Sequence, residues 1–387
     1  MKKIIYLLSF GLLLGACQKE DTVATQKRAA LTNYAEIVLA TYADSHDKAK
    51  DLQTKINDFV SLPTQAKFEA CKTAWKDARI PYGQSEGFRF YGGPIDGDDG
   101  PQGLINGWPM DESYVDYVVG MPNSGIVNNT AKFATISKSV LEKANEAGAE
   151  TDIATGYHAI EFLLWGQDFN DNGPGQRPYT DFLTIGGTAK NQARRGQYLK
   201  VAAELLTENL ATVRAEWESN GKYRQEFLAM AEDQAIGMIL RGIATLSKGE
   251  LAGERMTVAL TNQDQEDEHS CFSDNTHVDI YMNFKSIQNV YLGTYTRTNG
   301  QVMKGTSISD IINNNSNAVE KNKLVLASLT EADQKTKLVF DSAPFDRLIL
   351  NDPNKKTVNA INILRKLSDQ MVDAAFAMGI KVDNELK

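Results

Sequence analysis

Cysteine is scarce in this chain: three residues, Cys17, Cys71 and Cys271, among 387. With Cys17 set aside, the remaining two make no disulfide framework, although a Cys71–Cys271 bridge would suit an exported protein. Histidine is nearly as rare, with four residues. The zinc-protease pattern His-Glu-x-x-His is missing, and so is its inverse, because Phe162 stands where the second histidine would be. Neither a Gly-x-Ser-x-Gly elbow nor a Walker loop occurs, so serine-hydrolase and nucleotide chemistry have no foothold. There is no run of alternating strands with hairpin turns, and no internal repeat. Positive charge is in deficit: 41 Lys and Arg against 50 Asp and Glu give a net charge of −9. That excess of acid argues against nucleic acid or anionic lipid as a partner.

The first residues predict export. Lys2 and Lys3 precede an apolar run at 4–14. The run is well short of the roughly 20 residues that span a bilayer, and fits a secretory signal. It ends in Leu14-Gly15-Ala16-Cys17, which resembles the lipobox of bacterial lipoproteins, with Cys17 as the lipidated residue. Gln18-Lys19-Glu20-Asp21 resembles the surface-export tag of some Bacteroidetes lipoproteins. The expected arrangement is a signal peptide at 1–17, a flexible tether at 18–27 and a membrane partner reached through the lipid. The expected location is the bacterial cell envelope, as an outer-membrane, surface-exposed lipoprotein.

The mature chain is long enough for two domains, and its apolar period is helical. Tyr34, Val38, Leu39, Tyr42, Leu52, Ile56 and Phe59 recur at helical spacing before Pro63. Thr64 can cap a second helix that buries Phe68, Cys71 and Trp75 and ends near Pro81. Further helices are expected at 131–147, 152–165, 190–218, 223–248, 276–294, 315–330 and 354–379. Two long segments, 82–111 and 166–190, break the pattern with glycine, proline and aromatics, which argues for functional, ordered loops. The fold class expected is all-α, with four-helix-bundle-like domains at 28–165 and 190–380 joined by a loop at 166–189.

Four groups of residues could carry chemistry. His158 and Glu161 lie one turn apart on one face of an otherwise apolar helix, with Ile160, Phe162, Leu163, Leu164 and Trp165 around them. A buried carboxylate needs a cation: an arginine, a proton or a metal. The pair could be two metal ligands or an acid and a base; equally, His158 could bond to backbone while Glu161 meets an arginine. The segment Arg79-Ile80-Pro81-Tyr82-Gly83-Gln84-Ser85-Glu86-Gly87-Phe88-Arg89 offers Arg79 or Arg89 as that mate, and Glu86 as a third ligand. The acidic run at 265–277 brings Glu266, Asp267, Glu268, His269, Cys271, Asp274 and His277 together, a set that could bind iron or zinc or be a solvated loop with a helix cap. Finally, Asp168-x-Asn170-x-Asn172-Gly173 matches the first half of a calcium loop, but Tyr179 replaces the closing glutamate, so an Asx turn explains it better.

Together these segments resemble the imelysin-like (peptidase M75) family. The likeness rests on Gly156-x-His158-x-x-Glu161 with its extension through Asp168, and on Arg79-x-Pro81-Tyr82-Gly83-Gln84-x-Glu86. Asn106-Gly107-Trp108-Pro109-Met110-Asp111, Gly253-Glu254-Arg255-Met256 and the run from Glu266 to His277 add to it. The resemblance covers nearly the whole mature chain in order. It implies two related helical bundles with a site at their interface, in exported proteins tied to iron uptake. By resemblance His158 and Glu161 are central, while Glu86, Arg79, Arg255, His269, Ser270 and Asp274 are candidates around them. The function expected is binding of iron, or of an iron-bearing ligand, alongside iron-uptake proteins. Alternatives are a metallopeptidase of the M75 type, with zinc at His158 and Glu161, and a metal-free protein that binds peptide or polysaccharide.

Overall fold

The computed structural model describes residues 10–170, 173–342 and 344–386, with side chains from residue 23 onward. Helix α1, Phe10–Ser61, runs without a break. It passes through 18–27, where a tether is expected, because nothing between Ala16 and Ser61 is glycine or proline. Cys17, the expected lipidation site, lies outside the described side chains. Thr64 caps α2, Gln65–Gly83, by accepting from the Lys67 N–H. Pro81 does not stop α2; it sits in the last turn and gives up only its own bond to the carbonyl four residues back.

The other long helices are α3, Gly156–Trp165, α4, Gln192–Trp217, and α5, Glu232–Thr245. They are followed by α6, Thr276–Leu292, α7, Val319–Phe340, and α8, Lys356–Ala377. Helix α5 continues into a wide π-helical stretch, Leu246–Thr257, so the helical path outlasts its expected end at 248. The helix expected over 223–248 is itself interrupted at Met230 and Ala231, and that over 131–147 shrinks to Lys138–Ala144. One short ribbon escapes the sequence pattern: Thr294–Thr296 pairs antiparallel with Val302–Lys304, Tyr295 opposite Met303. The fold is all-α. Among the described residues no helix is long and apolar enough to cross a membrane.

Helices α1 to α4 pack together, with α2 and α4 on the long α1 and α3 against both. The π-helical stretch, α5, α6, α7 and α8 form a second group, and α6 also lies on α2. A single hydrophobic cluster runs through both groups. The division expected at 166–189 is therefore displaced: α4 lies beyond that loop in sequence yet packs with the first group. Its buried face carries Tyr198, Leu199, Ala202, Leu205, Leu206, Leu210 and Val213. The Tyr198 hydroxyl also donates to the Ala154 carbonyl at 2.8 Å, just ahead of α3. Cys71 and Cys271 are both free thiols.

The irregular loop after α3 is held by charge. Asp116, buried, accepts from Arg177 Nη1 at 2.8 Å and from Arg195 Nη2 at 2.9 Å, and Arg195 Nε also reaches it. Burial alone would raise the Asp116 carboxyl, but Arg177 and Arg195 hold it below the ordinary range. Removing it takes the shared counter-ion from both guanidiniums and leaves Arg177 only its 3.5 Å pair with Asp181. Asp116→Ala is expected to cost about 3–5 kcal/mol in denaturant unfolding; a loss well under 1 kcal/mol would show that this cluster does not hold the loop.

Candidate functional site

Helix α3 begins where only glycine fits. Gly156 has φ +79°, and a Cβ there would lie 2.4 Å from the Ile105 carbonyl oxygen. The close approach sets the first turn of α3 against the segment 102–106. The Trp75 indole N–H, from α2, donates to the Tyr157 carbonyl at 2.9 Å and fixes the same turn from the other side. All ten residues of α3 are buried. His158 and Glu161 thus face inward.

His158 Nδ1 lies 3.0 Å from Glu161 Oε2. The other carboxylate oxygen, Oε1, accepts from the Ser273 N–H at 3.0 Å and from the Ser273 hydroxyl at 2.6 Å. Among the described residues no arginine forms an ion pair with Glu161, and Arg79 acts on it only from a distance. Burial pushes its carboxyl up to about 8, with the Ser273 hydrogen bond opposing. The cation is therefore a proton at neutral pH. Since Oε1 already takes two donors, that proton sits on Oε2, shared with His158 Nδ1. His158 Nε2 has no hydrogen-bond partner, and burial, then Arg79, keeps the ring neutral.

A second imidazole faces the first. The His269 ring centre lies 4.7 Å from that of His158, the planes at 70°. His269 Nδ1 is 2.9 Å from Asp279 Oδ2, and Asn106 Nδ2 donates to Nε2 at 3.3 Å. These partners fix the tautomer, with Nδ1 as donor and Nε2 as acceptor. Asp279 is the hub. Arg79 clamps it with Nε at 3.2 Å and Nη2 at 2.9 Å, Ser270 Oγ donates at 2.5 Å, and Asn275 Nδ2 donates at 3.3 Å. Arg79 is thus the partner of Asp279, not of Glu161.

Beside the imidazoles lies a second buried ion group. Glu86 Oε2 accepts from Arg89 Nη1 and Arg255 Nη2, each at 2.7 Å. Arg255 also donates to Glu250 Oε1 at 2.7 Å and to Asn283 Oδ1 at 2.7 Å. The π-helical stretch brings Glu250 and Arg255 together here, as such irregular turns often do at functional sites. Burial works against ionisation of Glu86, but Arg255 and Arg89 overcome it and hold the carboxyl well below its usual range. Glu86 Oε1 has no hydrogen-bond partner. Among the described residues no three His, Cys, Asp or Glu side chains are grouped so as to hold a metal ion.

The structure thus brings together His158, Glu161, His269, Arg79, Ser270, Glu86, Arg89 and Arg255 from both helical groups. Asp274 does not join them. It lies near Asp168 and Asp346, where burial and those like charges push it up to about 8. His277 opens α6 beside Phe340. Asn172 lies outside the described residues, and Asp168 Oδ1 accepts from the Asn170 N–H at 2.9 Å, the Asx turn expected. Sequence reasoning missed Asp279, Asn106, Ser273, Glu250 and Asn283. Asn275, Asp279, Asn283 and Ser286 recur at helical spacing and lie buried on one face of an amphipathic helix, a polar seam that its other polar residues mask in the sequence.

The family model described as imelysin (peptidase M75) matches residues 38–371. The chain belongs to the imelysin family. It is 24% identical over 284 residues to a Synechococcus elongatus protein named iron-regulated protein A. That match takes in 69% of this chain and 66% of the relative, just under two thirds of its length. A solved structure described as a putative iron-regulated protein A precursor, from Parabacteroides distasonis, superposes with TM-score 0.69 at 17% identity, covering 92% of this chain and 95% of that one. An imelysin-like protein from Psychrobacter arcticum superposes with TM-score 0.65 at 13% identity, covering 93% and 98%. The likeness to both structures extends the imelysin fold over nearly the whole chain.

The raised Glu161 carboxyl has a measurable sign. The folded state holds a proton on Glu161 between its ordinary value of 4.5 and about 8, where the unfolded chain has lost it. The folded state binds more protons in that window, so this group's contribution to stability falls as pH rises through it. Glu161→Gln mimics the protonated acid and removes the dependence. Melting curves from pH 5 to 8 should therefore show the variant gaining on the wild type as pH rises. A constant difference would mean that Glu161 is ionised throughout.

Proposed function

We propose that this chain is an envelope protein that binds iron, or a ligand bearing iron, at the imidazole of His158, beside that of His269. The observation that carries the reading is the orphaned His158 Nε2 beside a second neutral imidazole. Each ring has its Nδ1 set against a carboxyl group, Glu161 or Asp279. This is the arrangement in which a carboxylate orients a metal-binding histidine. Imidazole suits iron as well as zinc. Glu86 Oε1, buried and unpartnered, is an oxygen of the kind iron accepts. Bound iron would supply the positive charge that Glu161 now draws from a proton. The name of the Synechococcus relative adds support.

In this reading Glu161 is an orienting residue, since both its oxygens are occupied. To free His158 Nε2 as a lone pair, the ring must take the shared proton at Nδ1 and give up the one at Nε2. One proton leaves overall, so binding tightens as pH rises toward 8. The remaining donors come from the ligand that carries the iron, because the described residues do not group three of their own. Burial favours binding over hydrolysis: His158, Glu161 and His269 are each at most 1% exposed, which leaves no water-facing base for a peptidase.

Protein purified without chelator after growth with iron should carry the metal in stoichiometric amount, and His158→Ala should carry none. Glu161→Gln should fold and bind about 10–100-fold more weakly. Metal content unchanged in His158→Ala would overturn the reading. The envelope location rests on Cys17 as lipid anchor to the outer membrane: Cys17→Ser should move the protein from the membrane fraction to the soluble one, and retention in the membrane would refute that anchor.

A further inference from the structure

Helix α1 is pinned to the rest of the molecule at Gln26, Lys27 and Arg28. Lys27 Nζ meets Asp233 Oδ1 at 2.5 Å and Arg28 Nη2 meets Glu232 Oε1 at 2.5 Å, both at the start of α5. Arg28 Nη1 also donates to the Leu228 carbonyl, and Asn314 Nδ2 donates to Gln26 Oε1 at 3.0 Å. Successive residues of α1 thus hold two separate parts of the chain, 228–233 and Asn314. Cys17 lies only nine positions before Gln26. Along a continuous helix that distance is about 14 Å, and drawn out fully it is about 30 Å. From Gln26 the same helix runs a further 35 residues, roughly 50 Å, to Ser61. A lipid on Cys17 therefore reaches one end of this body and not the other.

The make-up of that end is the second observation. Helices α7 and α8 run antiparallel, since Lys321 meets Asp373 at 2.9 Å and Lys366 meets Glu331 at 3.9 Å. The end of α8 therefore lies beside the start of α7, a few residues beyond Asn314. Just past α8, Ile380 packs on Gly237 of α5, within about a turn and a half of Glu232 and Asp233. Both routes place Phe376, in the last turn of α8, at the end where α1 is pinned. Phe376 is 73% exposed. The charges around it are matched in pairs: Lys27 with Asp233, Arg28 with Glu232, Lys321 with Asp373 and Lys323 with Glu320. These pairs bring no net charge to this end of an acidic chain, so it can approach a zwitterionic bilayer without repulsion. The exposed ring is free to enter the headgroup layer, where apolar and aromatic side chains settle.

We propose that the end of the molecule bearing Phe376 and the pinned residues Gln26 to Arg28 lies against the lipid surface, while the opposite end, bearing Leu62 and Ile185, points away from it. The proposal rests on Cys17 as the lipidated residue and adds which face the membrane meets. Leu62 follows the last residue of α1. Phe182, three residues before Ile185, packs on Phe59 near that same end of α1, ring centres 5.0 Å apart. Leu62 and Ile185 are both exposed. The lipid supplies the affinity for the membrane. The pins on α1 and the Phe376 ring supply the orientation.

The test is hydroxyl-radical footprinting of the full mature chain on phosphatidylcholine vesicles, compared with the Cys17→Ser form free in solution. The mass of the Cys17 peptide is read in the same experiment. Oxidation of Phe376 should fall several-fold on the vesicles, while Leu62 and Ile185 should be oxidised alike in both forms. A vesicle-bound chain whose Cys17 carries no lipid would overturn the anchor and the proposal together. A lipidated chain in which Leu62 or Ile185 is protected in place of Phe376, or in which none of the three is protected, would overturn the orientation and leave the anchor standing. A Cys17→Ser form that is dimeric, with Phe376 already shielded, would assign the face to a second copy of the chain and overturn the proposal as well.

Discussion

Everything at the centre of this protein hangs on one carboxylate, Asp279. It is buried on α6, yet it takes five donated hydrogen bonds from four residues: two from Arg79, and one each from His269, Ser270 and Asn275. A buried carboxylate is tolerable only when its lone pairs are filled and its charge is matched. Arg79 provides the match from α2, and the loop at 269–275 provides the rest. So one group joins α2, α6 and the loop, which come from different helical groups. It also decides the tautomer of His269, and so which ring nitrogen is left for other work.

Glu161 solves the same problem in the opposite way. It has no arginine, and Ser273 gives hydrogen bonds but no charge. A proton is the cheapest cation available, and the carboxyl is pushed up to about 8 accordingly. Charge on the His158–Glu161 pair is therefore set by protonation, whereas the charge on Asp279 is fixed by Arg79. One half of the centre is rigid in charge and the other half is adjustable. An imidazole with an unpartnered Nε2 sits on the adjustable half, which is the chemistry expected of a ligand site and not of a purely structural network.

The helical period gave α1, α2, α4, α6 and α8 directly, because each buries one apolar stripe. What the period could not show was which helices share a neighbour. Residue 190 looks like a new beginning after a glycine-rich loop, but the Asp116–Arg177–Arg195 cluster folds that loop back and returns α4 to α1. The site was half legible. His158 and Glu161 stand out because polar residues in an apolar helix are conspicuous. Arg79 and Arg89 were visible as charges, yet sequence alone could not assign their partners: each found an acid, Asp279 or Glu86, that local spacing does not link to Glu161. Asp279 itself was hidden because its helix looks amphipathic in the ordinary way until its polar face is seen to be buried.

The two sets of buried acids carry the argument further when set side by side. Asp279, Glu86 and Glu250 face Arg79, Arg89 and Arg255, so charge in that half is matched one for one. Glu268 and Asp274 lie a few residues away along the same loop without such partners among the described residues. The loop cannot neutralise them by burial, since burial is what makes their charge costly. It can do so only by taking up protons or a cation. A chain that places arginines so exactly opposite one set of acids and none opposite the next has not simply run short of basic residues, for lysines line the adjoining face of α2 at Lys72 and Lys76. The second set takes up protons instead: burial and neighbouring acids push the Asp274 carboxyl up to about 8 and raise that of Glu268 well above its usual range.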